Sequence, residues 1–181
     1  MTNIRVIVHG IMGKMGQEVL NAVTQAEGMD VVGGVDSYAT AARIALPDNS
    51  GQIPLNGNIH EILDNADVVV DFTNAEGAAS VIDATTRSSV NAVIGSTGLS
   101  QESIDNAEKL SAKHGTGIII APNFAMGAVL MSYLVRKASR FFEYADLTEV
   151  HHEGKIDAPS GTALAIAQSA VNGRQGSFTA P

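Results

Sequence analysis

The sequence predicts an α/β fold, a doubly wound parallel sheet followed by a shorter α+β segment. The first observation is a set of five short, nearly all-apolar runs at residues 4–8, 31–35, 67–71, 92–95 and 117–121. Strands of a parallel sheet that are covered on both faces have this composition. The second is that helical patterns alternate with these runs. Val19, Leu20 and Val23 share a face between the first two runs, another pattern spans about residues 76–88, and a third after Ser100 carries Ile104, Ala107 and Leu110. Alternation of this kind implies right-handed crossovers that place helices on both sides of the sheet. Residues 40–58, with Pro47, Gly51, Pro54 and Gly57, read as an irregular excursion.

The third observation is a change of character after Asn123. Met126, Val129, Leu130, Tyr133, Leu134 and Phe141 recur at the spacing of one long amphipathic helix. A strand-like stretch at 146–152 follows, then a turn, an Ala-rich helix at about 161–171, and a loop-like tail at 172–181. Residues 1–123 are thus expected to form one domain, and residues 124–181 the opening part of a second. One strand and two helices are little with which to close a core.

Composition narrows the function. The chain has 181 residues, 11 Lys plus Arg against 19 Asp plus Glu, a formal net charge of −8, and no Cys. An acidic chain without clustered cations excludes general nucleic-acid binding and attachment to an anionic membrane. Without cysteine there are no disulfides, thiolate nucleophiles or Cys-ligated metal sites. No signal sequence or membrane span is visible, so a cytoplasmic protein is expected. The acid is unevenly placed: residues 1–90 carry 4 bases and 11 acids, net −7, and residues 91–181 carry 7 and 8, net −1. A small anion is better hosted by the second half.

The first apolar run leads into Gly10-Ile11-Met12-Gly13-Lys14-Met15-Gly16. Glycines at this spacing allow a tight turn, close approach of a pyrophosphate to the backbone, and close packing of the next helix, the dinucleotide fingerprint of a Rossmann-type sheet. The first N–H groups of that helix would hold the phosphates. Asp36 directly follows the second run and can accept hydrogen bonds from an adenosine ribose. Ser37 after it, rather than Arg, tilts the cofactor toward NADH, while Lys14 leaves NADPH open. Gly95-Ser96-Thr97-Gly98, Ala121-Pro122-Asn123-Phe124 and Asp71-Phe72-Thr73 all fall at carboxyl ends of strands, where such a sheet places its ligand. Any one of these loops alone would be ordinary; their combination with the glycine loop points to a nicotinamide. An S-adenosylmethionine enzyme would share only the first part of the pattern.

Residues 149–163, Glu-Val-His-His-Glu-Gly-Lys-Ile-Asp-Ala-Pro-Ser-Gly-Thr-Ala, place His151, His152 and Lys155 beside the start of a helix. Pro159 and Ser160 read as its cap, and its first turn as a site for a carboxylate or phosphate. One histidine can exchange a proton near neutral pH while the other donates a hydrogen bond. On a regular strand the two would face opposite ways, so they serve one pocket only if the strand ends or bulges there. Adjacent histidines with no third ligand do not make a metal site.

On these residues the sequence resembles the dihydrodipicolinate reductase family, also called 4-hydroxy-tetrahydrodipicolinate reductases, of the diaminopimelate route to lysine. The resemblance runs from Ile4 to about Ala170 and is most specific over residues 149–163. It implies an NAD(P)H-dependent oxidoreductase that reduces 4-hydroxy-tetrahydrodipicolinate to tetrahydrodipicolinate. It implies that His151 is the proton donor with Lys155 as its partner, and that His152, Lys155, Gly161 and Thr162 bind the carboxylates of the dicarboxylate substrate. Gly10, Ile11, Met12, Gly13, Lys14, Met15 and Asp36 would hold the adenosine and pyrophosphate portion of the cofactor. Gly95, Ser96, Thr97, Ala121, Pro122, Asn123 and Phe124 would hold its nicotinamide end. Two departures are minor: Ala75 where Pro is expected, and Ser96 where Thr is commoner. Family members continue for several dozen residues past the equivalent of Pro181, completing the substrate domain and a homotetramer interface, so the chain is expected to be truncated. Two other functions fit the same residues: a dinucleotide-binding fragment without turnover, and a two-domain dehydrogenase acting on another amino or hydroxy acid.

Overall fold

The computed structural model describes residues 2–121, 123–154, 158–174, 176 and 178–179. The chain forms two compact units, Met1–Ala121 and Pro122–Pro181. The first is built on strands β1 (Ile4–His9), β2 (Met29–Val35), β3 (Arg43–Ala45), β4 (Gln52–Asn56), β5 (Val68–Asp71), β6 (Asn91–Ile94) and β7 (Ile118–Ile120). Three helices connect them: α1 (Lys14–Gln25), α2 (Ala75–Arg87) and α3 (Gln101–His114). The sheet order is β3-β4-β2-β1-β5-β6-β7, parallel throughout except for the antiparallel β3–β4 pair.

Alternation along β1 divides the core. Val6 and Val8 join Leu20 and Val23 of α1 on one face, and Ile7 joins Val69, Val81 and Ile94 with α2 and Ala107 of α3 on the other. Both faces of the central strands are therefore apolar, as the composition of the runs predicts. The edge strand β7 departs from this pattern, with Ile119 58% exposed. Side-chain caps start two helices: Asn74 accepts from the N–H of Gly77, and Ser100 from that of Ser103.

Residues 40–58 are not irregular. Arg43–Ala45 and Gln52–Asn56 form a hairpin that extends the sheet beside β2, and Ile53 and Leu55 are buried under it. Pro54 lacks an N–H but is tolerated, because β4 meets β2 only at Leu55 and Asn56.

The second unit contains α4 (Met126–Ala138), a 3-10 turn (Ser139–Phe141) and α5 (Gly161–Arg174). Its elements differ from the sequence expectation in three places. The amphipathic helix stops at Ala138, and none of its residues is buried; Met126, Val129, Leu130, Tyr133 and Leu134 are all more than half exposed. Residues 146–152 form no strand, since among the described residues no neighbouring strand offers them a ladder. The last helix runs through Asn172 and Gly173 to Arg174 instead of ending at Val171. Gly173 lies so close to α4 that a Cβ there would stand 2.0 Å from the carbonyl oxygen of Arg136.

Candidate active site

The first unit carries a cavity of about 720 Å³ at the carboxyl ends of β1, β2 and β5. This is the switch point of the sheet, where the chain leaves β1 toward β2 on one side and later returns to β5 on the other. The glycine loop forms one wall. Gly10 has φ +77°, and its N–H donates to the Val35 carbonyl at 2.8 Å. A Cβ at Gly16 would stand 2.0 Å from the Gly10 carbonyl oxygen, so this turn admits only glycine there. The N-cap of α1 is Gly13, which has no side chain to offer the helix, so no side chain caps its first-turn N–H groups. That is a cradle suited to an anion. Lys14 and Met15 sit exposed on this first turn.

Three residues of the loop do more local work than the sequence suggests. The Ile11 side chain is fully buried against Gly34, and its backbone is engaged locally: its N–H donates to the Val35 carbonyl at 3.2 Å and its carbonyl accepts from Gln17 Nε2 at 2.7 Å. The Met12 N–H donates to Asp36 Oδ2 at 2.9 Å, and the Gly13 N–H to the Gly10 carbonyl at 3.0 Å. The other Asp36 oxygen accepts from the Tyr38 N–H at 3.0 Å. Asp36 is thus a clamped acceptor on the cavity wall, 6% exposed, as a ribose clamp requires. Of the sequence-predicted cofactor residues, Gly10, Met12, Gly13 and Asp36 line the cavity.

Phe72 and Thr73 also line it. The Phe72 ring lies where a Cβ on Gly95 would stand, 2.2 Å from Cε1, which fixes glycine at position 95. The Ser96 hydroxyl is turned inward: it donates to Asp71 Oδ2 at 2.5 Å and accepts the Thr73 N–H at 2.7 Å. Ser96 therefore buttresses the β5 loop through its side chain, while Thr97 beside it is exposed. Ala121 donates its N–H to the Ile94 carbonyl at 3.1 Å.

The second unit assembles the histidine segment around one carboxylate. Glu149 Oε1 accepts the Ser160 N–H at 2.8 Å, Oε2 accepts the Ser160 hydroxyl, and Oε2 lies 3.6 Å from His151 Nδ1. Ser160 is the N-cap of α5, its Oγ accepting the Ala163 N–H at 3.0 Å. Glu149 thereby joins His151 to the helix start that carries Gly161 and Thr162, a link the sequence alone did not show. Asn123 donates from Nδ2 to Thr162 Oγ1 at 2.9 Å and accepts the Ala125 N–H at 2.7 Å. A residue expected at the nicotinamide end therefore touches one expected at the substrate. His151 and His152 lie on non-strand backbone before a turn, which removes the constraint that would send them to opposite faces. Phe124 is 48% exposed. Lys155 and Pro122 lie outside the described residues.

A doubly wound sheet with a glycine loop, an uncapped α1 and a clamped aspartate at its switch point defines a Rossmann-type dinucleotide-binding protein. The particular family follows from comparison. Residues 4–124 match the family model "Dihydrodipicolinate reductase, N-terminus", and residues 127–180 match "Dihydrodipicolinate reductase, C-terminus". The 4-hydroxy-tetrahydrodipicolinate reductase of Dehalococcoides mccartyi is 45% identical over 183 residues, covering 100% of this chain and 70% of that protein. The one from Syntrophomonas wolfei is 40% identical, covering 91% and 63%. Among solved structures, a dipicolinate-bound dihydrodipicolinate reductase from Paenisporosarcina sp. TG-14 matches with a TM-score of 0.79 and 32% identity, over 96% of this chain and 67% of that one. A myo-inositol 2-dehydrogenase from Lactobacillus plantarum, at 13% identity and a TM-score of 0.58, shares the fold. The chain belongs to the dihydrodipicolinate reductase family.

Proposed function

We propose that the chain reduces 4-hydroxy-tetrahydrodipicolinate to tetrahydrodipicolinate with a reduced nicotinamide dinucleotide, the 4-hydroxyl group leaving as water, in line with the names of its relatives. The observation that carries this reading is the Glu149-centred cluster, which joins His151 to the start of α5 within a chain that both family models match. The cofactor fits the cavity of the first unit: a Cβ at Gly16 would meet the backbone of Gly10 and Ile11, so the glycine turn stays tight against α1, and the uncapped first turn of α1 suits a pyrophosphate. When bound, the reduced nicotinamide supplies the hydride.

The protein's residues have separable tasks. Gly10, Met12 and Gly13 form the wall beside the phosphates, with Lys14 and Met15 on the first turn beyond. Asp36 holds the adenosine ribose, and its fixed negative charge next to Ser37 disfavours a 2′-phosphate. NADH is accordingly slightly favoured, while Lys14 leaves NADPH open. Gly95, Ser96, Thr97, Ala121, Pro122, Asn123 and Phe124 serve the nicotinamide end. His151 donates the proton to carbon, steadied by Glu149, and Lys155 acts with it. His152, Lys155, Gly161 and Thr162 hold the substrate carboxylates, and Asn123 orients the Thr162 hydroxyl. The solved relative with bound dipicolinate supports a dicarboxylate ligand. No helix among the described residues is long and apolar enough to cross a membrane. We place the enzyme in the cytoplasm and expect a homotetramer for full-length members of the family.

The test is NADH oxidation driven by freshly generated cyclic substrate. His151→Ala should lower kcat by about a hundredfold or more with little change in NADH affinity. A surface control, Lys109→Ala, should leave it unchanged. Equal turnover in the two variants overturns the acid role of His151.

A further inference from the structure

His9 and Asp71 are the last residues of β1 and β5 and face each other across the parallel ladder. They therefore stand at the switch point, under the crevice where a doubly wound sheet binds its ligand. Asp71 is fully buried, yet its carboxylate accepts three hydrogen bonds: from His9 Nδ1 at 2.6 Å, Thr73 Oγ1 at 2.7 Å and Ser96 Oγ at 2.5 Å. With Nδ1 as the donor of this pair, the ring plane of His9 is fixed and its Nε2 edge is turned away from Asp71. The His9 side chain is 12% exposed and lines the cavity next to Gly10 and Thr73. Its Cε1 edge lies 3.3 Å from where a Cβ on Gly77 would stand, at the first turn of α2. No described residue partners Nε2, and that atom is not sealed in the core.

The cavity is otherwise acidic. Asp36 and Glu76 line it, and His9 is the single cation-capable side chain among its described lining residues. A polyanion entering this space meets the glycine loop at Gly10, Met12 and Gly13, which leads into α1, and the outer edge of His9. A His9 imidazolium can donate one N–H to the buried carboxylate and the other to a phosphate oxygen, and both hydrogen bonds are then charge-assisted. We propose that His9 is a direct contact for the phosphates of the dinucleotide, with Asp71 as its positioning residue. The proposal rests on reading the cavity as the dinucleotide site.

The test titrates the whole chain with NADH and ADP by calorimetry, and with adenosine by ligand-detected NMR. Three proteins are compared: the unaltered chain, His9→Ala and His9→Phe. The Phe variant keeps the ring volume should the Ala variant fail to fold. Loss of one charge-assisted hydrogen bond should weaken NADH and ADP by about tenfold or more, and adenosine by less than about twofold. A folded variant that keeps NADH and ADP affinity within about twofold overturns the role of His9 alone. A parallel loss for adenosine also overturns it, since the effect would then belong to the pocket's shape. Failure of the unaltered chain to bind NADH and ADP overturns the reading of the cavity and the proposal together.

Discussion

Gly16 sets how closely α1 approaches the turn that precedes it. A methyl group at this position would lie 2.0 Å from the Gly10 carbonyl oxygen and 2.7 Å from the Ile11 Cα. Both are backbone atoms, so no side-chain rotation relieves the clash. Gly16→Ala should therefore cost about 1–3 kcal/mol of stability, as overpacking does, and weaken NADH by about tenfold or more by displacing the first-turn N–H groups. Gly127→Ala is the matched control, because nothing stands within 4 Å of its Cβ position on exposed α4. It should be neutral or slightly stabilising. Urea unfolding and calorimetry check both, and equal losses in the two variants would show that the clash is not what matters. The glycine loop was legible in the sequence because the missing side chain is itself the functional feature. His9 was not: in the sequence it is one polar residue at the end of an apolar run. Only the ladder register places it opposite Asp71, 62 positions away.

Elements are tied together at their ends, and those ties carry measurable signatures. Arg5 on β1 meets Asp67 at the start of β5: its guanidinium donates at 2.8 and 3.1 Å and its backbone N–H at 2.8 Å. The Arg5 side chain, then its backbone N–H, hold the Asp67 carboxyl down at about 2 against an ordinary 3.8. A carboxyl whose pKa is depressed by folding adds stability above its unfolded value, and that contribution disappears as pH falls through the folded one. The unfolding midpoint should thus fall between about pH 4 and pH 2, and Asp67→Asn should flatten this part of the curve. Both side chains are nearly half exposed, so the effect is modest and shrinks in high salt. At α5, Ser160→Ala removes the cap and the hydroxyl bonded to Glu149, and should cost about 1–2 kcal/mol in thermal unfolding. A loss below about 0.5 kcal/mol would show that Glu149 fixes the helix start through the backbone alone. The five parallel strands were legible because each is a short, nearly all-apolar run, including the edge strand β7, whose outer face is exposed. The β3–β4 hairpin was not, since Gly51 and Pro54 mark breaks, and only pairing with β2 makes residues 52–56 a strand. Residues 146–152 failed in the opposite sense: their alternation is strand-like, but a strand also needs a neighbour.

The whole chain is uneven in how its parts are held. All seven strands, both apolar clusters and every residue lining the large cavity fall within residues 1–121. Among the described residues of the second unit the only buried apolar side chains are Ala163 and Ile166, while the apolar positions of α4 are exposed. Burying a Val, Leu or Ile contributes about 1.5–3 kcal/mol, and ordering each residue costs a comparable amount. A unit with two buried apolar groups cannot offset that cost alone, whereas one with a two-faced core can. Residues 1–121 expressed alone should therefore unfold cooperatively and bind NADH within about tenfold of the whole chain. Residues 122–181 alone should lack a cooperative transition. Circular dichroism melts and calorimetry on the two pieces decide the matter. A sharp transition in the short piece, or loss of NADH binding by a folded long piece, would mean that stability or cofactor affinity depends on contacts outside the buried apolar core.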